Sequence, residues 1–133
     1  MQSTYVMIKP DGTAKEGVTA RVKSRITAAG FTIDREKEFT LTEDMLRAHY
    51  DFLVEKPFFP EIVEFMTSGP VIGMIVSGDN VVFAMRGMIG VTNPEEAAPG
   101  TIRKDFGTDK MRNVIHASES PECAEIEIKR FFG

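Results

Sequence analysis

Two short runs in this chain are apolar at nearly every position: "TYVMI" at residues 4–8 and "PVIGMIV" at 70–76. A run hydrophobic on both faces reads as a buried strand inside a sheet rather than at its wetted edge. Neither run approaches the ~18 residues a membrane span needs, and the first is too short for a secretory signal. The rest of the chain must therefore supply what covers these strands. A chain of 133 residues is read as one domain, 1–133, long enough to bury a core without staples.

The intervening segments carry distinct periods. Residues 9–17, "KPDGTAKEG", read as a polar loop. Val18, Val22, Ile26 and Ala29 lie on one stripe of a helix that stops at Gly30. Residues 31–41 alternate, which places Phe31, Ile33, Arg35, Lys37, Phe39 and Leu41 on one face of a long strand. Thr42 is a capping residue for a short helix, and a second short helix starts near Pro60 and stops before Gly69. In 79–90, Asp79 is a candidate cap, and Val81, Val82, Met85 and Ile89 have helical spacing. Residues 91–112 show little periodicity, and a loop of that length in a compact domain usually has a function. "NVIHA" at 113–117 is the fourth strand. Ser120 and Pro121 open a last helix with acids early and bases late, as its dipole prefers. The order predicts an α+β, ferredoxin-like βαββαβ fold, a four-stranded antiparallel sheet with its helices on one face.

Charge narrows the function. A net charge of −4 argues against a general nucleic-acid or anionic-membrane binder. Within that acidic chain, Arg103, Lys104, Lys110 and Arg112 crowd the stretch just before His116, which suggests an anionic ligand. His116 ends an apolar strand, with Ser118 two residues on and on the same face as Val114 by alternation. Such a histidine is equally at home as a core residue with a backbone partner. Metal ligation at zinc spacing lacks partners, and His49, the only other histidine, is read as structural. Cys123, the single cysteine, is read as a small buried hydrophobe in a reducing, cytoplasmic setting. Gly12 and Gly17 have P-loop spacing, but Val18-Thr19 replace the required Lys-Ser or Lys-Thr, so no common phosphate loop is present.

"NVIHASES" at 113–120 resembles the signature of the nucleoside diphosphate kinases, N-x-x-H-[GA]-S-[DE]. "IKPDG" (8–12), "HY" (49–50), "KPFF" (56–59), "SGP" (68–70), "TNP" (92–94), "PGTIR" (99–103) and "DF" (105–106) follow that family's order along the whole chain. The resemblance implies transfer of a γ-phosphoryl group from ATP or another nucleoside triphosphate to a nucleoside diphosphate, with Mg2+ bridging phosphate oxygens. It implies ping-pong kinetics through a phosphohistidine on His116 and broad base specificity. Glu127 matches the residue that orients that ring, Ser118 its partner, and Tyr50 a group beside the histidine. Arg86, Thr92 and Arg103 match phosphate-binding positions, and Lys9 and Asn113 match contacts to ribose and the transferring phosphate. Phe58 matches the aromatic that stacks on the base, with Ile62 opposite. Strict alternation puts Asn113 on the wrong face for this, so the strand must begin irregularly. Ala117 stands where many members have glycine, so that position needs no positive φ.

Two rivals belong to other classes: a ferredoxin-like ligand-binding module and a histidine phosphocarrier acting on proteins. RNA recognition would need paired aromatics on the central strands, and these are missing. The family forms homo-oligomers, tetramers or hexamers. Adjacent Phe131 and Phe132 point ~100° apart on a helix, which suggests that one ring packs at a subunit boundary. The alternative is a tail folded onto its own chain. The chain also ends, at Gly133, before many relatives do.

Overall fold

The computed structural model describes all of residues 1–133. Its strands are β1 (Gln2–Ile8), β2 (Thr32–Phe39), β3 (Val71–Gly78) and β4 (Ile115–Ala117), in the order β2-β3-β1-β4. Every pairing is antiparallel. The two strands with continuous apolar runs are the central pair, as their double-sided hydrophobicity requires.

Both faces of the sheet are covered, which corrects the expectation of helices on one face. On one side lie α2 (Val18–Ala28) and α5 (Val81–Ile89), whose Val22, Ile26, Met85 and Ile89 meet Val6, Ile8, Met74 and Val76. On the other, Tyr5 and Met7 pack with Leu46 of α3 (Glu43–His49), Phe59 and Met66 of α4 (Phe59–Met66), and Phe131 of α7 (Pro121–Phe132). Successive residues of β1 thus serve opposite cores. Each fully buried Val or Ile contributes about 1.5–3 kcal/mol, so a charge at Val22 or Ile26 would open the first core.

The expected caps at Thr42 and Ser120 form: their hydroxyls accept from the amides of Met45 and Cys123. Asp79 does not cap α5. Asn80 precedes that helix at φ 54°, and the amide of Val82 instead donates to the Gln2 side chain from β1. Two segments read as loops hold short helices, α1 (Pro10–Thr13) and α6 (Ile102–Phe106).

β2 departs from strict alternation. Ile33 pairs with Val76, but Arg35 pairs with the next residue, Ile75, so Asp34 is an extra residue in a bulge. Phe31 and Ile33 therefore pack in the α2/α5 core, whereas Phe39 and Leu41 join the opposite one. The two C-terminal rings are both seated on their own chain. Phe131 stacks on Tyr5 at 4.8 Å between centroids, and Arg35 and Lys37 lie over Phe132. The rings thus give no separate argument for a subunit boundary. No helix is long and apolar enough to cross a membrane.

Candidate active site

The edge strand β4 is only three residues long because the chain before it is not extended. Val114 sits at φ 64°, a strained setting for a β-branched residue. Lys9 and Asp11, at the start of α1, clamp it from both sides. The amide of Lys9 donates to the Val114 carbonyl at 2.8 Å, and the Val114 amide donates to Asp11 Oδ2 at 3.0 Å. This kink is the irregular start that the sequence required. It sends Val114 into the core with Ile115 and Ala117, rather than onto the face of His116, and lets Asn113 and His116 line the same cleft.

Lys9 and Asn113 are locked together at the floor. Lys9 Nζ donates to Asn113 Oδ1 at 2.8 Å and to the Met111 carbonyl at 3.1 Å. Asn113 Nδ2 donates to the carbonyls of Thr92 and Lys110. Arg103, projecting from α6, donates to the carbonyls of Gly90 and Ile115 at 3.0 and 2.9 Å, and Arg86 of α5 donates to that of Ala117. None of these three cations pairs with a carboxylate. Burial, joined by the charge of Arg103, pushes Lys9 down to about 8 against the pull of Asp11 and Asp109. Burial and Arg86 likewise push Arg103 down to about 10, with Tyr50 opposing. Cations held under that stress, with no anion of their own, mark a site for an anionic ligand.

His116 projects from β4 toward α7. Its Nε2 lies 3.0 Å from Glu127 Oε1, and the Ser118 hydroxyl donates to the same oxygen at 2.7 Å. Ser118 in turn accepts from the Tyr5 amide at 3.2 Å. Burial alone would raise the Glu127 carboxyl. The bond to His116, that ring's charge, Ser118 and His49 outweigh it and hold the carboxyl below its usual range. A carboxylate on Nε2 leaves Nδ1 as the ring atom without a partner.

The cleft, about 430 Å3, gathers Lys9, Tyr50, Phe58, Ile62, Arg86, Thr92, Arg103, Asn113 and His116, nine of the eleven expected site residues. Ser118 and Glu127 stand behind the histidine. Burial pushes the Tyr50 hydroxyl up to about 12, so it is protonated at neutral pH. The outer end is apolar, with Phe52, Leu53 and Met66 joining Phe58 and Ile62. The one carboxylate on the lining is Glu119, so the protein offers no oxygen cage for a hard cation.

Three residues escaped the sequence reading. Asp11 was legible only as part of a turn, and nothing local shows that it holds Val114. Phe52 offers no periodicity on its three-residue turn Asp51–Leu53. His49 is not simply structural: its ring stands edge-on to that of His116 at 4.7 Å, and Arg130 Nη1 lies 3.2 Å from its Nδ1. Cys123 is half-buried rather than buried.

A family model described as nucleoside diphosphate kinase matches residues 2–133. A nucleoside diphosphate kinase of Archaeoglobus fulgidus is 48% identical over 99% of this chain and 87% of its own. One from Halalkalibacterium halodurans is also 48% identical, over 99% and 89%. Among solved structures, the apo nucleoside diphosphate kinase of Encephalitozoon cuniculi superposes with a TM-score of 0.95 at 40% identity, covering 100% of this chain and 90% of that one. The Aquifex aeolicus nucleoside diphosphate kinase gives 0.93 at 41%, covering 99% and 95%.

Proposed function

The chain belongs to the nucleoside diphosphate kinase family, phosphotransferases acting between nucleotides, and from that premise we propose that it transfers the γ-phosphoryl group through a phosphohistidine on His116. The observation that carries this reading is the pairing of His116 Nε2 with Glu127 at 3.0 Å beside a cleft floored by cations. A neutral imidazole has one N–H and one lone pair. With the N–H given to Glu127, the lone pair is on Nδ1, the nucleophile.

Nδ1 attacks the γ-phosphorus of the triphosphate; the P–O bond to the β-phosphate breaks and the diphosphate leaves with that oxygen. The imidazolium that forms is stabilised by Glu127, itself held by Ser118. A second diphosphate then takes the phosphoryl group back from Nδ1, giving ping-pong kinetics at one site. Arg86, Arg103 and Lys9 balance charge on the transferring group, and the Tyr50 hydroxyl and Asn113 amide supply polar contacts. Thr92 offers its hydroxyl beside them. Mg2+ enters as the Mg·nucleotide complex, on phosphate oxygens, since the lining carries no cage for it. Phe58 and Ile62 sandwich the base by its faces, which every base has, so purine and pyrimidine nucleotides serve alike.

The apolar outer end of the cleft favours nucleotides over the protein partners of a phosphocarrier. The covering of both sheet faces disfavours an RNA-recognition module. A single cysteine fits the cytoplasm, and assembly as a tetramer or hexamer rests on the family likeness, with light scattering its check. The chemical test is direct. Wild type incubated with γ-labelled Mg·ATP should take up acid-labile label and lose it to GDP. His116→Ala should do neither while remaining folded. Label passing through that variant would overturn the reading.

A further inference from the structure

His116 is shared between two cavities. The second, about 320 Å3, lies between α3 and α7, with His49, Glu127, Cys123 and Arg130 on its wall. Three donors converge there. One ligand atom from each of His49, His116 and Glu127 falls within 4.8 Å of the others. His116 Nε2 is 3.0 Å from Glu127 Oε1, and His49 Nδ1 is 3.9 Å from Oε2. Ligand atoms around a tetrahedral zinc ion, with bonds of about 2.0–2.1 Å, stand ~3.3 Å apart, so small shifts would close the set. His49 is 8% exposed, and phosphoryl transfer as derived above makes no use of it.

We propose that His49, His116 and Glu127 form a binding site for a borderline-soft divalent cation such as Zn2+, and that filling it switches off phosphorylation of His116. The inhibitory half rests on His116 being the nucleophile. Two imidazoles and one carboxylate suit Zn2+ and not Mg2+, which prefers oxygen and keeps its waters. Burial, with the charges of His116, Arg130 and Lys9, pushes His49 down to about 3 against the pull of Glu127. Its ring is therefore neutral at pH 7 and has a lone pair to give. The second cavity provides an entry path separate from the floor of the nucleotide cleft.

The consequence for chemistry follows from the count of lone pairs. When a cation takes the Nε2 lone pair of His116, the ring proton resides on Nδ1, and no nucleophilic nitrogen is left. Coordination through Nδ1 blocks the nucleophile outright. Arg130 is the natural competitor. A guanidinium only donates, so its hydrogen bond at 3.2 Å occupies the lone pair of His49 Nδ1 that the cation needs.

The test uses the full chain without nucleotide, titrated calorimetrically with Zn2+. One ion should bind per chain. His49→Gln should weaken binding at least ~100-fold, and Arg130→Leu, a change at a half-buried side chain, should tighten it about tenfold. Millimolar Mg2+ should not compete. Absence of stoichiometric binding to wild type would overturn the site, as would wild-type affinity in a folded His49→Gln or in Arg130→Leu. With free Zn2+ fixed by a metal buffer, labelling of His116 by Mg·ATP should fall with the calorimetric midpoint in wild type, at about tenfold lower free Zn2+ in Arg130→Leu, and not over that range in His49→Gln. If Zn2+ binds through His49 while labelling of His116 continues undiminished, the switch is overturned and the cation site stands; the nucleophile assignment is decided separately by His116→Ala.

Discussion

The two ends of the cleft are built on opposite plans. At the inner end, Lys9, Arg103, Asn113 and Ser118 are 7, 5, 2 and 0% exposed, and each makes hydrogen bonds to fixed partners. At the outer end, Phe52 and Phe58 are 70 and 44% exposed and offer only faces. The difference teaches where precision is needed. Phosphoryl transfer requires reacting atoms held near ~3–3.5 Å and aligned, and misplacement by ~1 Å is costly. Holding a base needs only a flat apolar surface. The inner end accepts strain at Val114, about 1–3 kcal/mol for such a backbone setting, offset by the clamp from Lys9 and Asp11.

If that contrast is right, damage to the inner end should appear in kcat and damage to the outer end in KM. The largest effect after loss of His116 itself should come from Glu127→Gln. The amide still fills the space but carries no charge to stabilise the imidazolium. A fall in kcat of roughly 10²-fold is expected, with KM little changed. A variant with wild-type kcat would break the comparison at its strongest point.

Lys9 gives the next effect. With its ammonium pushed down to about 8, kcat/KM should fall tenfold per pH unit above that value, because the proton lost is the charge that meets phosphate. A profile level to about pH 9 would remove that charge from the reaction. Asp11→Ala should follow, with stability lower by about 1–3 kcal/mol because the buried Val114 amide loses its acceptor. Its kcat should fall about fivefold, and Asp11→Asn, which keeps an acceptor oxygen, should recover most of both. Urea denaturation and steady-state kinetics on the same samples check this. Equal losses in Ala and Asn would mean that the carboxylate acts by charge and not as a clamp.

The same contrast explains what was legible in the sequence. The outer residues and the cations, which the structure gathers on one cleft, were legible because the family's motifs carry their types and order. β1 and β3 were found because double-sided apolarity has one common cause. What escaped was set by contacts distant in sequence. Asp34 carries no local mark of a bulge, yet it moves Phe31 and Phe39 to opposite faces. His49 meets His116 only because α3 packs on the face of the sheet toward which Met7 of β1 and its β4 partner His116 point. The irregular start of β4 was forced by asking Asn113 and His116 to share one cleft. The clamp that produces it belongs to the start of α1, over 100 residues earlier.

The smallest expected effect is at the outer end, and it sharpens the comparison most. Phe58 is half-exposed, so stacking there should contribute near the low end of ~1–3 kcal/mol. Phe58→Ala should raise KM for a nucleoside diphosphate about fivefold, leaving kcat intact. The loss should be similar for adenine, guanine, cytosine and uracil, because the ring reads a π-face that all four have. In wild type, kcat/KM across the four triphosphates should accordingly spread by less than about tenfold. Hydrogen bonding to a base edge behaves differently: it rejects the wrong partner by leaving buried groups unpaired. A spread beyond ~100-fold, about 2.7 kcal/mol, would therefore require an edge contact. The candidates for it on the cleft wall are polar groups such as Lys110 and Glu119, not Phe58 or Ile62. The outer end would then share the directional plan of the inner one.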